Sequence, residues 1–121
     1  MITTDTIFVR CDGQYFRIRL KDITYIGTSD RYVCIYTEGR MYKTKFSLDR
    51  LESMLPPTTF CRIHRYHIVA LDRVASFDYE VVHLEGEITL QLSDKYRKHF
   101  FSSVVLLNPV YSKTEVTAFS E

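Results

Sequence analysis

Phe60-Cys61-Arg62-Ile63-His64-Arg65-Tyr66-His67-Ile68-Val69 is the stretch on which the reading of this chain turns. It carries four potentially cationic side chains and no carboxylate before Asp72, then runs on into the apolar Leu71. The residue types read as one strand from Phe60 to Val69, with a charged edge joined to a core strand. Period-two geometry places His64 and Tyr66 on one face and Ile63, Arg65 and His67 on the other. Such a run invites an anion, because guanidinium forks match phosphate oxygens and the acceptor edge of guanine. A solvated strand face explains it equally well, since basic strand edges also guard against edge-to-edge pairing.

On the N-terminal side, Pro56-Pro57 stops a short helix over residues 47–55, in which Ser47 is the cap and Leu48, Leu51, Met54 and Leu55 fall at helical spacing. Before it, Thr6 to Arg10 and Gln14 to Leu20 flank the turn pair Asp12-Gly13. Strands from Ile23 to Gly27, Tyr32 to Thr37 and Met41 to Phe46 follow, separated by Thr28-Ser29-Asp30-Arg31 and Glu38-Gly39-Arg40. On the C-terminal side come Arg73 to Tyr79, then Val81 to Leu84 and Ile88 to Leu92 across Glu85-Gly86-Glu87. Ser93 is a second cap candidate, and Tyr96, Phe100, Val104 and Leu107 recur at three or four residues, predicting a C-terminal helix near 94–107. The pattern predicts a mainly β fold of about ten short strands in antiparallel sheets. Residues 1–108 form one domain in this reading, and 109–121 a tail without a clear pattern.

A length of 121 residues supports a single domain with its own core. Hydrophobic content of 45% lies well clear of disordered composition, and no apolar run is long enough to cross a bilayer. Met1-Ile2-Thr3-Thr4-Asp5 lacks the basic start and apolar stretch of a secretory signal, and Cys11, Cys34 and Cys61 are too widely spaced for a disulfide framework or a paired-cysteine zinc site. A cytoplasmic protein without a membrane partner is the expectation. Net charge is only +1, yet basic residues cluster at Lys43 and Lys45, at Arg62 and Arg65, and at Lys95, Arg97 and Lys98, while acidic ones gather at Asp78, Glu80, Glu85 and Glu87. Local potential rather than net charge would then attract a polyanion.

Enzymatic readings find little support. No serine or cysteine occupies a G-x-S-x-G elbow, and four glycines build no phosphate-binding loop. Cys61, His64 and His67 are zinc-type residues, but on a single strand alternation sends His64 away from the other two. No catalytic activity, metal or cofactor is expected. Ser93-Asp94-Lys95-Tyr96-Arg97-Lys98 is either a capped, solvated first helical turn or a set of phosphate donors at a helix start.

The order of these features resembles the LytTR family of DNA-binding domains over about residues 5 to 101. Ile23-Thr24-Tyr25-Ile26 followed by Tyr32-Val33 resembles the family's first core pair, and Phe46-Ser47-Leu48-Asp49-Arg50-Leu51-Glu52 its short helix. Phe60-Cys61-Arg62-Ile63-His64-Arg65 matches an F-x-R-I-H-R signature, and Leu92-Ser93-Asp94-Lys95-Tyr96 is similar to the closing S-[RK]-[RK]-Y element. The resemblance implies a β domain whose loops enter successive major grooves of double-stranded DNA to regulate transcription.

Family base-reading positions fall on Arg31, Arg65 and Lys95. Arg62, His64, Tyr66, Lys43, Lys45, Ser93 and Arg97 are then the candidates for phosphate contact and positioning. Paired occupancy of repeat sites, or a homodimer, follows from the resemblance alone. An upstream receiver or sensor domain, which members usually carry, is expected to be absent from this chain, which is either a stand-alone regulator or an excised domain. Two departures favour an alternative, a LytTR-like protein-interaction module with weak or lost DNA affinity: Ala70 stands where asparagine is common, and Asp94 where a base is frequent.

Overall fold

The computed structural model describes residues 1–110, and among them ten strands form three antiparallel sheets with two helices. The chain opens with a hairpin of β1 (Thr6–Cys11) and β2 (Gln14–Arg19), whose turn residues Asp12 and Gly13 both take positive φ, as a twist-matched two-residue turn requires. The strands β3 (Ile23–Ser29), β4 (Tyr32–Thr37) and β5 (Arg40–Lys45) follow as a meander. Helix α1 (Leu48–Met54) starts where the Ser47 hydroxyl accepts the Arg50 amide at 3.1 Å, as its cap position predicts. Then come β6 (Phe60–His64), β7 (His67–Ala70), β8 (Val74–Phe77), β9 (Val81–Leu84), β10 (Ile88–Gln91) and α2 (Asp94–Ser102).

The five-stranded sheet has the order β5-β4-β3-β7-β6 and is covered on both faces. One face packs Ile26, Val33, Ile35, Phe60 and Ile68 against the N-terminal hairpin and the α1 residues Leu48 and Leu51. The other face packs Cys61, Ile63 and Val69 against Val82 and Leu84 of the three-stranded sheet β10-β9-β8 and against Phe100 of α2. Burial on two faces explains why β6 and β7 are buried at nearly every position rather than at alternate ones.

Two expectations are corrected. Phe60 to Val69 is not one strand but a tight hairpin, with a turn at Arg65-Tyr66 that brings His64 opposite His67. Neither turn residue is glycine, proline or asparagine, so ordinary turn chemistry is missing. Instead the Tyr66 amide donates to His64 Nδ1 at 3.2 Å, and Arg62 donates to the carbonyls of His64 and Arg65. The C-terminal helix, in turn, ends at Ser102 rather than near 107, and Leu107 is exposed. Ser102 and Ser103 each turn a hydroxyl back onto the His99 carbonyl at 2.8 Å, a local bond that competes with helix continuation. Asn108 to Val110 form no regular element, and the rest of the 109–121 tail lies outside the described residues. No helix among the described residues is long and apolar enough to cross a membrane.

Candidate nucleic-acid interface

Three cationic side chains reach one end of the molecule by three different routes. Arg31 lies in the two-residue β3–β4 turn, beside Asp30 at positive φ. Arg65 lies in the β6–β7 turn, which emerges from the same end of the sheet because β3 and β7 are antiparallel neighbours and the Thr28 amide donates to the Tyr66 carbonyl at 3.1 Å. Lys95 is in the first turn of α2, whose start is docked there by a β-bulge. The register of β6 on β7 slips between Arg62 and His64, leaving Ile63 unpaired in the ladder, and its carbonyl accepts the Ser93 amide at 3.0 Å. Arg31, Arg65 and Lys95 are all exposed. Arg65 and Lys95 line one open concavity with Thr28, Ser47, Tyr66 and Tyr96.

Aromatic faces steer these cations. The Arg65 guanidinium lies 4.7 Å from the centre of the Tyr66 ring, and the Lys95 ammonium 5.4 Å from that of Tyr96. On the β5 side, the Lys43 ammonium lies 4.9 Å from the Tyr32 ring, and Lys43 and Lys45 border a groove shared with Arg10 of the N-terminal hairpin. His64 is half-buried, and its ring sits 5.4 Å from that of Tyr66 and 5.7 Å from that of His67. Burial, then the nearby Arg65 and Arg62 charges, pull the His64 pKa below the ordinary histidine value. Burial, then His64, do the same for His67, whose Nδ1 is buried without a hydrogen-bond partner. Both environments thus favour the neutral ring. The alternation argument that parted His64 from His67 fails at the turn, yet among the described residues no group of three or more metal-binding side chains occurs.

Arg62, expected among the phosphate-contacting or positioning residues, is only 4% exposed, and four hydrogen bonds hold its guanidinium. Nη1 donates to Asp49 at 2.9 Å and to Glu52 at 2.7 Å, both on α1, while Nε donates to the His64 carbonyl at 2.8 Å and Nη2 to the Arg65 carbonyl at 2.7 Å. Burial alone would lower its pKa, but the two carboxylates outweigh that and raise it, so the buried charge is kept and paired. Four of its five N–H donors are thus engaged within the protein. The spacing of Asp49 and Glu52, three apart on one helix face, was a signal that the carboxylate-free run would find its counter-charges there.

Arg97 and Ser93 are also partly committed. Arg97 donates to the Tyr79 carbonyl at 2.7 Å and pairs with Asp94 at 2.9 Å, which offsets the misplaced acid of that helical turn. Ser93 occupies the cap position of α2, but its hydroxyl makes no capping bond and points 3.5 Å from the Ile63 carbonyl. Acidic side chains stand at this end too, since Asp49, 87% exposed, lines the same concavity as Arg65 and Lys95, and exposed Asp30 adjoins Arg31. Glu85 and Glu38 flank Arg73 at the opposite end of the sheet, whereas Glu80 borders Asp94, Lys95 and Arg97 along α2.

Comparison with known proteins fits this arrangement. The family model for the LytTr DNA-binding domain matches residues 13–104. The chain is 31% identical over 104 residues to the transcriptional regulatory protein LytR of Staphylococcus aureus (strain N315), covering 82% of this chain and 42% of that protein. It is 34% identical over 77 residues to the heme-containing CO-sensing transcriptional regulator RcoM 2 of Paraburkholderia xenovorans, covering 64% of this chain and 27% of the relative. The chain thus spans less than half the length of these relatives. A solved LytTr DNA-binding domain from Bacillus cereus superposes with a TM-score of 0.74 at 17% identity, over 84% of this chain and 97% of that one, which shows the shared fold. With the family model covering most of the sequence and ten strands in three antiparallel sheets, the chain belongs to the LytTr DNA-binding domain family.

Proposed function

We propose that this domain binds double-stranded DNA sequence-specifically in the regulation of transcription, with Arg31, Arg65 and Lys95 as the base-contacting side chains. The observation that carries the reading is the meeting of the β6–β7 turn and the start of α2, which puts Arg65 and Lys95 around one concavity at the sheet end that also bears Arg31. Arg31 and Arg65 each offer a guanidinium fork to guanine, whereas Lys95 is a point donor. Lys43 and Lys45 flank the Arg31 turn and are phosphate contacts in this reading, with His64 and Tyr66 shaping the Arg65 turn. Ser93 and Arg97 act by placing α2, not by binding phosphate directly.

Selection from a random duplex pool at low salt tests the reading. Wild type should enrich a defined site, and Arg65→Ala should flatten preference at one base pair. Discrimination from a bidentate contact is on the order of 1–3 kcal/mol. Enrichment of no site by wild type refutes the proposal.

A further inference from the structure

Arg62 touches every element that presents a base-contacting candidate from this part of the molecule, apart from the β3–β4 turn. Its guanidinium reaches α1 through Asp49 and Glu52, the β6–β7 turn through two successive carbonyls, and α2 through Tyr96, whose ring centre lies 5.5 Å away. That same ring carries the Lys95 ammonium. The turn lacks glycine, proline and asparagine, and its one local bond is the Tyr66 amide donating to His64 Nδ1, in the same peptide unit as the Arg65 carbonyl. Two donors from a single planar group hold the His64 and Arg65 carbonyls as well. With both carbonyls pointed inward at Arg62, the Arg65 side chain leaves the turn towards solvent.

We infer that Arg62 is the positioning residue of the interface, a buried, charge-paired fork that sets the direction of Arg65 and its separation from Lys95. This rests on the reading of Arg65 and Lys95 as base contacts. Lysine cannot replace the fork, because an ammonium on a flexible stem does not span two carbonyls and two carboxylates in one plane. A phosphate contact, by contrast, tolerates lysine well, and that difference separates the two roles.

The test uses the duplex selected by the wild-type chain, its single-base-pair variants, and the variants Arg62→Lys, Arg65→Ala and their combination. Arg62→Lys should retain cooperative thermal unfolding and the wild-type salt slope, yet lose preference at the base pair where Arg65→Ala loses it. The loss should be part of a roughly 5- to 150-fold preference, the fold-change equivalent of one bidentate contact. The double variant should discriminate no worse than Arg65→Ala alone, since Arg62 acts through Arg65. Full discrimination in Arg62→Lys overturns the inference, as does a salt slope reduced by about 0.9 with discrimination intact, the sign of one lost phosphate.

The wild-type chain offers a second measurement that needs no variant to fold. The Arg62 Nε–H should give a slowly exchanging NMR signal in free protein that keeps its position when duplex is added, unlike those of exposed Arg31 and Arg65. Fast exchange at Arg62 overturns the brace even if DNA is read. Failure of wild type to select any site, with Arg62 Nε–H protected, refutes instead the base-contact reading beneath it.

Discussion

The Ser93 amide donates to the Ile63 carbonyl at 3.0 Å, so the residue that β6 leaves out of its ladder is the one that anchors the start of α2. Ile63 itself is fully buried among Val69, Leu92 and Phe100. Ser93→Pro keeps a compatible φ, close to −84°, but removes the donor. An interior carbonyl without a donor costs about 1–3 kcal/mol, and denaturant unfolding should show a loss of that size. Ser93→Ala retains the amide and should lose far less. Equal stability of the two variants would contradict the anchoring role.

Lys43 and Lys45 stand on the same face of β5, with Lys45 opposite Tyr32, the residue after Arg31. Each lysine that neutralises one phosphate contributes about 0.9 to the slope of log K against log salt. Lys43→Ala and Lys45→Ala should each flatten that slope by about this amount and weaken matched and mismatched duplexes alike. A slope unchanged in both variants places the phosphate track elsewhere.

Asp94 is almost fully exposed, while its partner Arg97 is held by the Tyr79 carbonyl. An exposed pair of this kind is worth about 0–1 kcal/mol, so Asp94→Asn should change stability little. Beside a phosphate backbone, however, the removed negative charge should tighten duplex binding a few-fold at low salt, an effect that fades as salt screens it. Weaker binding in Asp94→Asn would show that the carboxylate helps hold α2 for DNA.

Much of this arrangement was legible in the residues themselves. Tyr32–Thr37 and Val81–Leu84 fall where the sequence predicts them, because Asp30, Gly39 and Gly86 take the positive φ that ends or reverses a strand. The β6–β7 hairpin was not legible, since its turn is made by Arg62 and His64 acting on the backbone rather than by turn residues. The ion pairs of Arg62 also lie outside any period-two pattern, because its counter-charges come from α1, ten and thirteen residues upstream. The overlong C-terminal helix came from following apolar spacing through Val104 and Leu107 past two serines that cap the His99 carbonyl.

The core beneath the interface has a clear weak point in Phe100, which is fully buried and meets Phe77 edge-on with ring centres 4.8 Å apart. Truncation of a buried phenylalanine removes its transfer free energy and leaves a cavity, together about 3–5 kcal/mol. Phe100→Ala should therefore lower unfolding stability by that order and loosen α2, whereas Phe100→Leu should lose much less. Near-native stability of Phe100→Ala would mean that α2 packs only loosely on the sheet.

Acid should destabilise the domain through its histidine pair. In the unfolded chain both His64 and His67 titrate near 6.5, whereas in the fold burial and neighbouring charges hold both below that value. As pH falls through 6.5 the unfolded state binds more protons than the folded one, so stability is fully present above 6.5 and falls below it, until the folded rings protonate as well. The groups facing the pair are Arg62 and Arg65 on the hairpin and Tyr25 on β3, which supply no carboxylate to stabilise an imidazolium. Thermal unfolding at about pH 7.5 and about pH 5.5 should show a lower midpoint in acid, and His67→Phe, which cannot protonate, should shrink that difference. A His67→Phe variant as acid-sensitive as wild type would assign the loss to other groups.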